Sequence, residues 1–192
     1  MTSRGSTIQD QLAGAGELEL LTWLHSHREG KWSKNTMNEA AGHGHLDVVK
    51  FLHEYRREGC TKQAMNIAAG NNHLDVVKWL HANRQEGCSV LAMTNAAAGG
   101  HLEMVQWLHT HRHEGCTPAA MSEAASGGHV RVMEFLAASF SMKWPRTAMQ
   151  HAIENKKIDN IGALEFIRAQ APECITKTED YFGNPRKRET PS

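Results

Sequence analysis

The sequence predicts an all-α solenoid, in which short antiparallel helix pairs stack side by side. The main observation is a repeat of 28 residues, since residues 45–72 and 73–100 align without a gap and agree at 16 of 28 positions. The same spacing continues through five units, in which three sets of residues, here called columns, recur every 28 positions. The columns are Trp23, Phe51, Trp79, Trp107 and Phe135; Met37, Met65, Met93, Met121 and Met149; and Trp32, Cys60, Cys88, Cys116 and Trp144. Composition agrees, because Ala is abundant, only 6% of the residues are aromatic, and Ala favours helices over sheets.

The first helix of each unit begins at a hydroxyl residue whose side chain satisfies a free N–H group of the first turn. These cap residues are Ser33, Thr61, Ser89 and Thr117. In one unit Ala64, Met65, Ala68 and Ala69 recur at helical spacing, which predicts a single buried face. A pair of Gly or Asn residues, such as Gly99 and Gly100, predicts the turn that follows.

The second helix of each unit begins near a His column, which contains His45, His73, His101 and His129. Leu74, Val76, Val77, Trp79 and Leu80 form the expected buried side of one such helix. The last turn is expected to hold Arg28, Arg56, Arg84 and Arg112, where a cation suits the helix dipole. Gly59, Gly87 and Gly115 are expected to stop these helices as left-handed residues.

Residues 1–170 are assigned to one repeat array of about five to six helix pairs, with degenerate units at both ends. Residues 7–15 predict a weak first helix, and Phe166 marks a last helix displaced by three residues from the register. Residues 171–192 form a polar tail that we expect to be disordered.

The segments AMNIAAGNNHLDVVKWLH and AMSEAASGGHVRVMEFL resemble ankyrin repeats, whose usual core is TPLHxAAxxGHLxVVxxLL. The chain departs from that pattern twice, because QAMN at 63–66 replaces TPLH and the period is shorter than the usual 33 or so residues. The first departure predicts that the hydrogen-bond network of TPLH is lost. The second predicts a short-finger variant without β-hairpin fingers.

The resemblance implies a protein–protein interaction module or scaffold. The alternative is the regulatory or targeting portion of a larger adaptor or signalling protein. Catalysis is not expected, because no Gly-rich phosphate loop, GxSxG or HExxH occurs and the His and Glu residues repeat in every unit. No cofactor is expected either.

The Cys and His residues are interpreted as structural. Cys60, Cys88 and Cys116 are predicted to be reduced and metal-free, because helices stacked about 8–10 Å apart hold their thiols beyond disulfide reach. For the His column of the turns we expect hydrogen bonds, and for a second column (His25, His53, His81 and His109) contacts at helix C-termini. The alternative metal set of His109, His111, His113 and Cys116 is disfavoured, because residues two apart lie on different faces of a helix.

The charge is balanced, with 21 basic and 21 acidic residues, which argues against nucleic acid as a partner. No apolar run approaches the 20 or so residues of a membrane span, and no signal peptide is visible, so we expect a monomeric intracellular protein away from membranes. A cytoplasmic location is expected, and Arg186-Lys187-Arg188 leaves nuclear entry open. The Arg column with Glu58, Glu86 and Glu114 is interpreted as a self-neutralised ridge, with an acidic partner as the alternative.

The expected partner site is the exposed side of the first helices, which the resemblance implies and where residues vary between units. The candidate residues are Lys34, Asn38, Lys62, Asn66, Ile67, Val90, Leu91, Thr94, Asn95, Ser122 and Glu123. Ile67, Val90 and Leu91 interrupt this otherwise polar strip and predict a small apolar anchor for a protein partner. The alternative is that Ile67 and Leu91 tuck between units and extend the core.

Overall fold

A computed structural model of the chain describes residues 6–140, 148 and 160–170. The helices of this part are α1 (Ile8–Ala15), α2 (Leu18–Ser26), α3 (Lys34–Gly42), α4 (Leu46–Tyr55), α5 (Lys62–Gly70), α6 (Leu74–Asn83), α7 (Val90–Ala98), α8 (Leu102–His111), α9 (Pro118–Gly127), α10 (Val130–Phe140) and α11 (Asn160–Gln170). The described residues contain no strand, which confirms the all-α solenoid without β-hairpin fingers. The expected disordered tail lies outside them.

Three of the four hydroxyl residues cap the first helices through their side chains as predicted, and Thr117 does not. Ser33, Thr61 and Ser89 each accept a hydrogen bond from the backbone N–H two residues later, and Thr117 is followed by Pro118 at the first helical position. The turn after these helices places one residue per unit in the left-handed region, where Gly is favoured. Those residues are Gly16, Gly44, Asn72, Gly100 and Gly128, with φ between 63 and 82°.

The ends of the second helices differ from the prediction. Arg56, Arg84 and Arg112 are extended residues just beyond the last turn, with ψ near 150°. Gly59 and its equivalents do have a positive φ, but they lie three residues further along and shape the loop to the next cap. The prediction that they stop the helices was wrong, because the switch to extended backbone at the Arg already ends each helix.

Two rows of helices result from the stacking. The first helices α1, α3, α5, α7 and α9 pack closely in one row, because Ala pairs such as Ala68 and Ala69 are fully buried between them. The second helices touch each other much less, and they are held mainly through their own first helices by buried pairs such as Val76 and Val77.

Candidate partner-binding face

Two Asn residues of the predicted binding strip are structural clamps. The side chains of Asn38 and Asn66 are only 5% and 3% exposed. The Oδ1 atom of Asn66 accepts from the N–H of Ser89 at 2.9 Å, and its Nδ2 atom donates to the Ser89 hydroxyl at 3.0 Å. Asn38 makes the same pair of bonds to Thr61, at 3.0 and 3.1 Å. Each Asn thus fastens its helix to the cap of the next first helix.

This arrangement corrects two predictions. Asn38, Asn66 and Ser122 are buried, so the expectation that they lie on the exposed strip was wrong. The hydrogen-bond network expected to disappear with the TPLH segment is present in another form, because Asn66 ends the QAMN segment and carries it. A signal was available in the sequence, since a short amide 23 residues before a cap Ser or Thr recurs in two successive units.

The other members of the strip are exposed or partly exposed. Lys34, Lys62 and Glu123 are exposed, and Val90, Thr94 and Asn95 are half-buried. Ile67 is 36% and Leu91 47% exposed, on the neighbouring helices α5 and α7. The methyl groups of Ile67 rest over Gly42 of the preceding unit, so this side chain is partly tucked between units, whereas Leu91 stands in solvent.

A shallow depression lies between the C-terminal halves of α5 and α7. Its lining consists of Ile67, Gly70, Asn71, Asn95, Ala98 and Gly99. The amide of Asn71 donates to the carbonyl of Gly42 at 2.7 Å, and that of Asn95 donates to the carbonyl of Asn66 at 3.3 Å. These hydrogen bonds hold both side-chain amides in place. The depression therefore has small apolar residues in its lining and two immobilised amide groups at its edges. Sequence reasoning missed Asn71, which belongs to a turn and not to the varying helix positions.

The Arg and Glu residues form a row of ion pairs, here called the Arg–Glu ladder, in the loops that lead into the first helices. Arg84 binds Glu86 through both Nε and Nη2, and Arg56 and Arg112 bind Glu58 and Glu114 in the same way. Partial burial alone raises the pKa of Glu86, but hydrogen bonds from Arg84 and from backbone N–H groups outweigh it and bring the pKa to about 2. The guanidinium groups are thus already paired, which supports the interpretation as a self-neutralised ridge.

The two His columns connect neighbouring units. The Nε2 atoms of His45, His101 and His129 lie 3.0 Å from carbonyl oxygens of the preceding unit, to which they donate. In the other column, Arg84 and Arg112 donate through Nη1 to the Nδ1 atoms of His53 and His81, at 3.2 and 3.1 Å. Burial, followed by the charge of Arg112, lowers the pKa of His81.

The thiols are free in all three described Cys residues. Burial, together with the charge of Glu86, raises the pKa of Cys60 to about 11, and burial raises the pKa of Cys116 to about 11. These thiols are protonated at neutral pH and are poor nucleophiles. Within the described ranges, no three or more His, Cys, Asp or Glu residues come together in a group able to hold a metal ion.

The geometry therefore defines a helical repeat protein with an open face of exposed first-helix residues. Residues 37–81 match the family model described as "Ankyrin repeats (many copies)". The fold is similar to that of the human ASB11 ankyrin repeat domain, with a TM-score of 0.63 and 15% sequence identity, over 86% of this chain and 84% of that chain. No curated protein sequence matches the chain.

Residues 37–81 thus resemble ankyrin repeats in sequence, and the described stack shares the fold of an ankyrin repeat domain. Ankyrin repeats are generally protein–protein interaction modules. None of the described helices is both long enough and apolar enough to span a bilayer.

Proposed function

We propose that the protein is a binding module or scaffold that holds a protein segment against the exposed side of α3, α5, α7 and α9. The observation that carries this proposal is the exposure of Ile67 and Leu91 on neighbouring helices. An exposed Leu beside a half-buried Ile supplies an apolar anchor of the kind that contributes most of the energy at interfaces.

Charge sets the orientation of the partner. Lys34 and Lys62 are exposed on α3 and α5, and no salt bridge is formed by either of these two side chains. Glu123 is exposed on α9, at the other end of the strip. A partner segment with an apolar residue over Leu91, an acidic residue toward Lys62 and a basic residue toward Glu123 complements this face.

The proposed site contains the candidate residues that remain accessible. They are Lys34, Lys62, Ile67, Val90, Leu91, Asn95 and Glu123, to which the structure adds Asn71. Thr94 lies at the edge of the strip, half-buried, with its hydroxyl bound to the carbonyl of Val90 at 3.1 Å. In this proposal the protein acts by binding a partner. The alternative, a regulatory portion of a larger adaptor, would use the same face.

The test is quantitative affinity capture from a cell extract with matched variants. Lys62→Glu combined with Leu91→Asp is expected to reduce the amount of recovered partner at least tenfold. The first change reverses the charge at residue 62, and the second places a charge on the apolar anchor. The control is Lys78→Glu combined with Thr110→Asp, two exposed positions on α6 and α8 that keep the same change in charge. Melting temperatures close to the wild type show that both pairs leave the fold intact. Equal recovery of the partner by both double variants contradicts the proposed face.

A further inference from the structure

The N-terminal end of the stack exposes three large apolar side chains. Ile8 on α1 is 62% exposed, and Leu20 and Trp23 on α2 are 49% and 53% exposed. In the later units that the structure describes, the equivalents of Leu20 and Ile8 are buried, and those of Trp23 are half-buried. For Leu20 these are Val48, Val76, Met104 and Val132, and for Ile8 they are Thr36, Ala64, Ala92 and Ala120.

The preceding unit is what covers these columns elsewhere. The ring of Trp79 is met edge-on by His53 of the unit before it, at 5.2 Å between ring centroids, and Trp107 is met by His81 at 5.3 Å. Trp23 stacks on His27 of its own helix end, at 4.2 Å, as Trp107 also does on His111 at 4.6 Å. The first unit thus keeps the apolar face that later units bury against a neighbour.

At this face the first unit lacks the His residue with which later units donate a hydrogen bond to the unit before them. His45 and His101 donate to a carbonyl of the unit before them, and the residue 28 positions before His45 is Glu17. A carboxylate only accepts hydrogen bonds, so Glu17 repels the carbonyl that a unit of the same kind would present. The end face therefore suits an occupant that offers a cation at this position.

A second copy of the same helix satisfies this requirement. Glu17 is the N-cap of α2, Leu20 and Trp23 lie within the helix, and Arg28 follows its C-cap, His27. When two such helices lie antiparallel across a two-fold axis, Leu20 meets the partner's Trp23, and Glu17 approaches the partner's Arg28. The helix dipoles are then also opposed, which is favourable. A sequence of acid, apolar, apolar and base along a helix is self-complementary, as a two-fold interface requires.

We propose that this end face is a homodimer interface, in which α2 packs antiparallel on α2 of a second copy and Ile8 closes the apolar contact. This proposal differs from the monomer that the sequence predicts, because the three exposed apolar side chains need a cover. It leaves the face of α3, α5, α7 and α9 open, so dimerisation and partner binding are independent.

Sedimentation equilibrium of the full chain tests the proposal over about 5–500 µM. The wild type is expected to form a dimer with a dissociation constant on the order of 10–100 µM, as suits a small interface. Leu20→Lys is expected to weaken the dimer at least tenfold, with a melting temperature near the wild type because Leu20 is half exposed. The control is Thr22→Lys, an exposed position on the same helix whose equivalents are Lys50 and Lys78.

Charge exchange tests the antiparallel arrangement. Glu17→Lys and Arg28→Glu should each weaken the dimer, and the double variant should restore it, because the pair forms again between the copies. Restoration supports the proposal even where a single variant lowers the melting temperature. A wild type that stays monomeric throughout the series overturns it. So does a Leu20→Lys protein that dimerises like Thr22→Lys, or a double variant without recovery, which is the result expected for head-to-tail stacking.

Discussion

Asn66 and Thr94 occupy the same position in neighbouring units, yet they connect their helices in different ways. Asn66 on α5 makes two hydrogen bonds to Ser89, the cap of α7. Thr94 on α7 turns back to the carbonyl of Val90 in its own helix. Thr117, the cap of α9, has no side-chain cap hydrogen bond. The α5–α7 junction is therefore clamped. The α7–α9 junction lacks this clamp and is held by apolar packing, by the hydrogen bond from His129 to the carbonyl of Ala98 and by the loop ion pair of Arg112 and Glu114.

The comparison shows that the junctions of a repeat array need not be equally strong. In a solenoid, stability is roughly a sum over units and over contacts between nearest neighbours. Asp10 in α1 occupies the same column and binds the hydroxyls of Ser33 and Thr36, at 3.3 and 2.7 Å. At the α1–α3, α3–α5 and α5–α7 junctions, an Asp or Asn side chain thus binds the cap residue of the next first helix. The α7–α9 junction lacks this bond.

The largest effect is expected from Met93→Asp, which breaks the packing on which the α7–α9 junction depends. Met93 is buried, so the variant places an unpaired charge between apolar layers and should lose more than about 4 kcal/mol of unfolding free energy. Urea denaturation followed by circular dichroism measures the loss. Thr94→Asp is the control, with an expected loss below about 1 kcal/mol, since Thr94 is half-buried. Equal losses would mean that the helix faces are assigned incorrectly.

Asn66→Ala should remove the clamp of the α5–α7 junction. The variant leaves the N–H of Ser89 without its acceptor, and the expected loss is about 2–3 kcal/mol. Thr94→Ala removes only a hydrogen bond within one helix and should lose under about 1 kcal/mol. Denaturant midpoints of the two variants check the difference. If both variants lose the same amount, the two junctions do not differ as described.

Acid should open the α7–α9 junction first, because the ion pair of Arg112 and Glu114 there is not backed by an Asn clamp. Hydrogen bonds from Arg112 hold the pKa of Glu114 at about 2 against the opposing effect of burial, below the ordinary value of 4.5. A carboxyl whose pKa is lowered in the fold stabilises it above about pH 4.5, and this contribution is lost as the pH falls toward 2. The pKa of His81 is lowered as well, so stability should begin to fall below pH 6.5.

Hydrogen exchange between pH 7 and pH 3 checks this order. Protection of α9 amides is expected to fall at a higher pH than protection of α5 amides. Glu114→Gln should reduce the acid sensitivity, whereas Glu103→Gln, at an exposed position in the first turn of α8, should leave the profile unchanged. Simultaneous opening of both helices would contradict the idea of a weaker junction.

The smallest expected effect is a gain in stability. Thr94→Asn should build the missing clamp to Thr117, as Asn66 does to Ser89, and raise the unfolding free energy by about 1 kcal/mol. Thr94→Gln has the same amide one methylene further out and should give no gain. The melting temperatures of both variants decide the matter. A Thr94→Asn protein no more stable than the wild type would show that the junction geometry at α9 excludes the clamp.

Much of the fold could be predicted from the sequence, because each feature has a local cause that repeats. The cap hydroxyls, the Ala pairs and the left-handed turn residues act within one unit, so their spacing identified the helices. The prediction failed where local signals compete, as at Gly59. This residue has the positive φ expected of a helix stop, yet the extended Arg56 ends α4 first.

What the tertiary structure decided is which side chains face solvent. Asn38 and Ile67 looked alike as varying members of one strip, yet Asn38 is buried by its bonds to Thr61 and Ile67 is partly exposed. Leu20 and Val48 share one column, but in the described stack Leu20 is half exposed and Val48 is buried. The sequence by itself determined the period, the helices and the apolar columns, because these depend on residues close along the chain. Exposure depends on the neighbouring unit, so only the assembled stack decided which residues clamp the array and which remain free to bind.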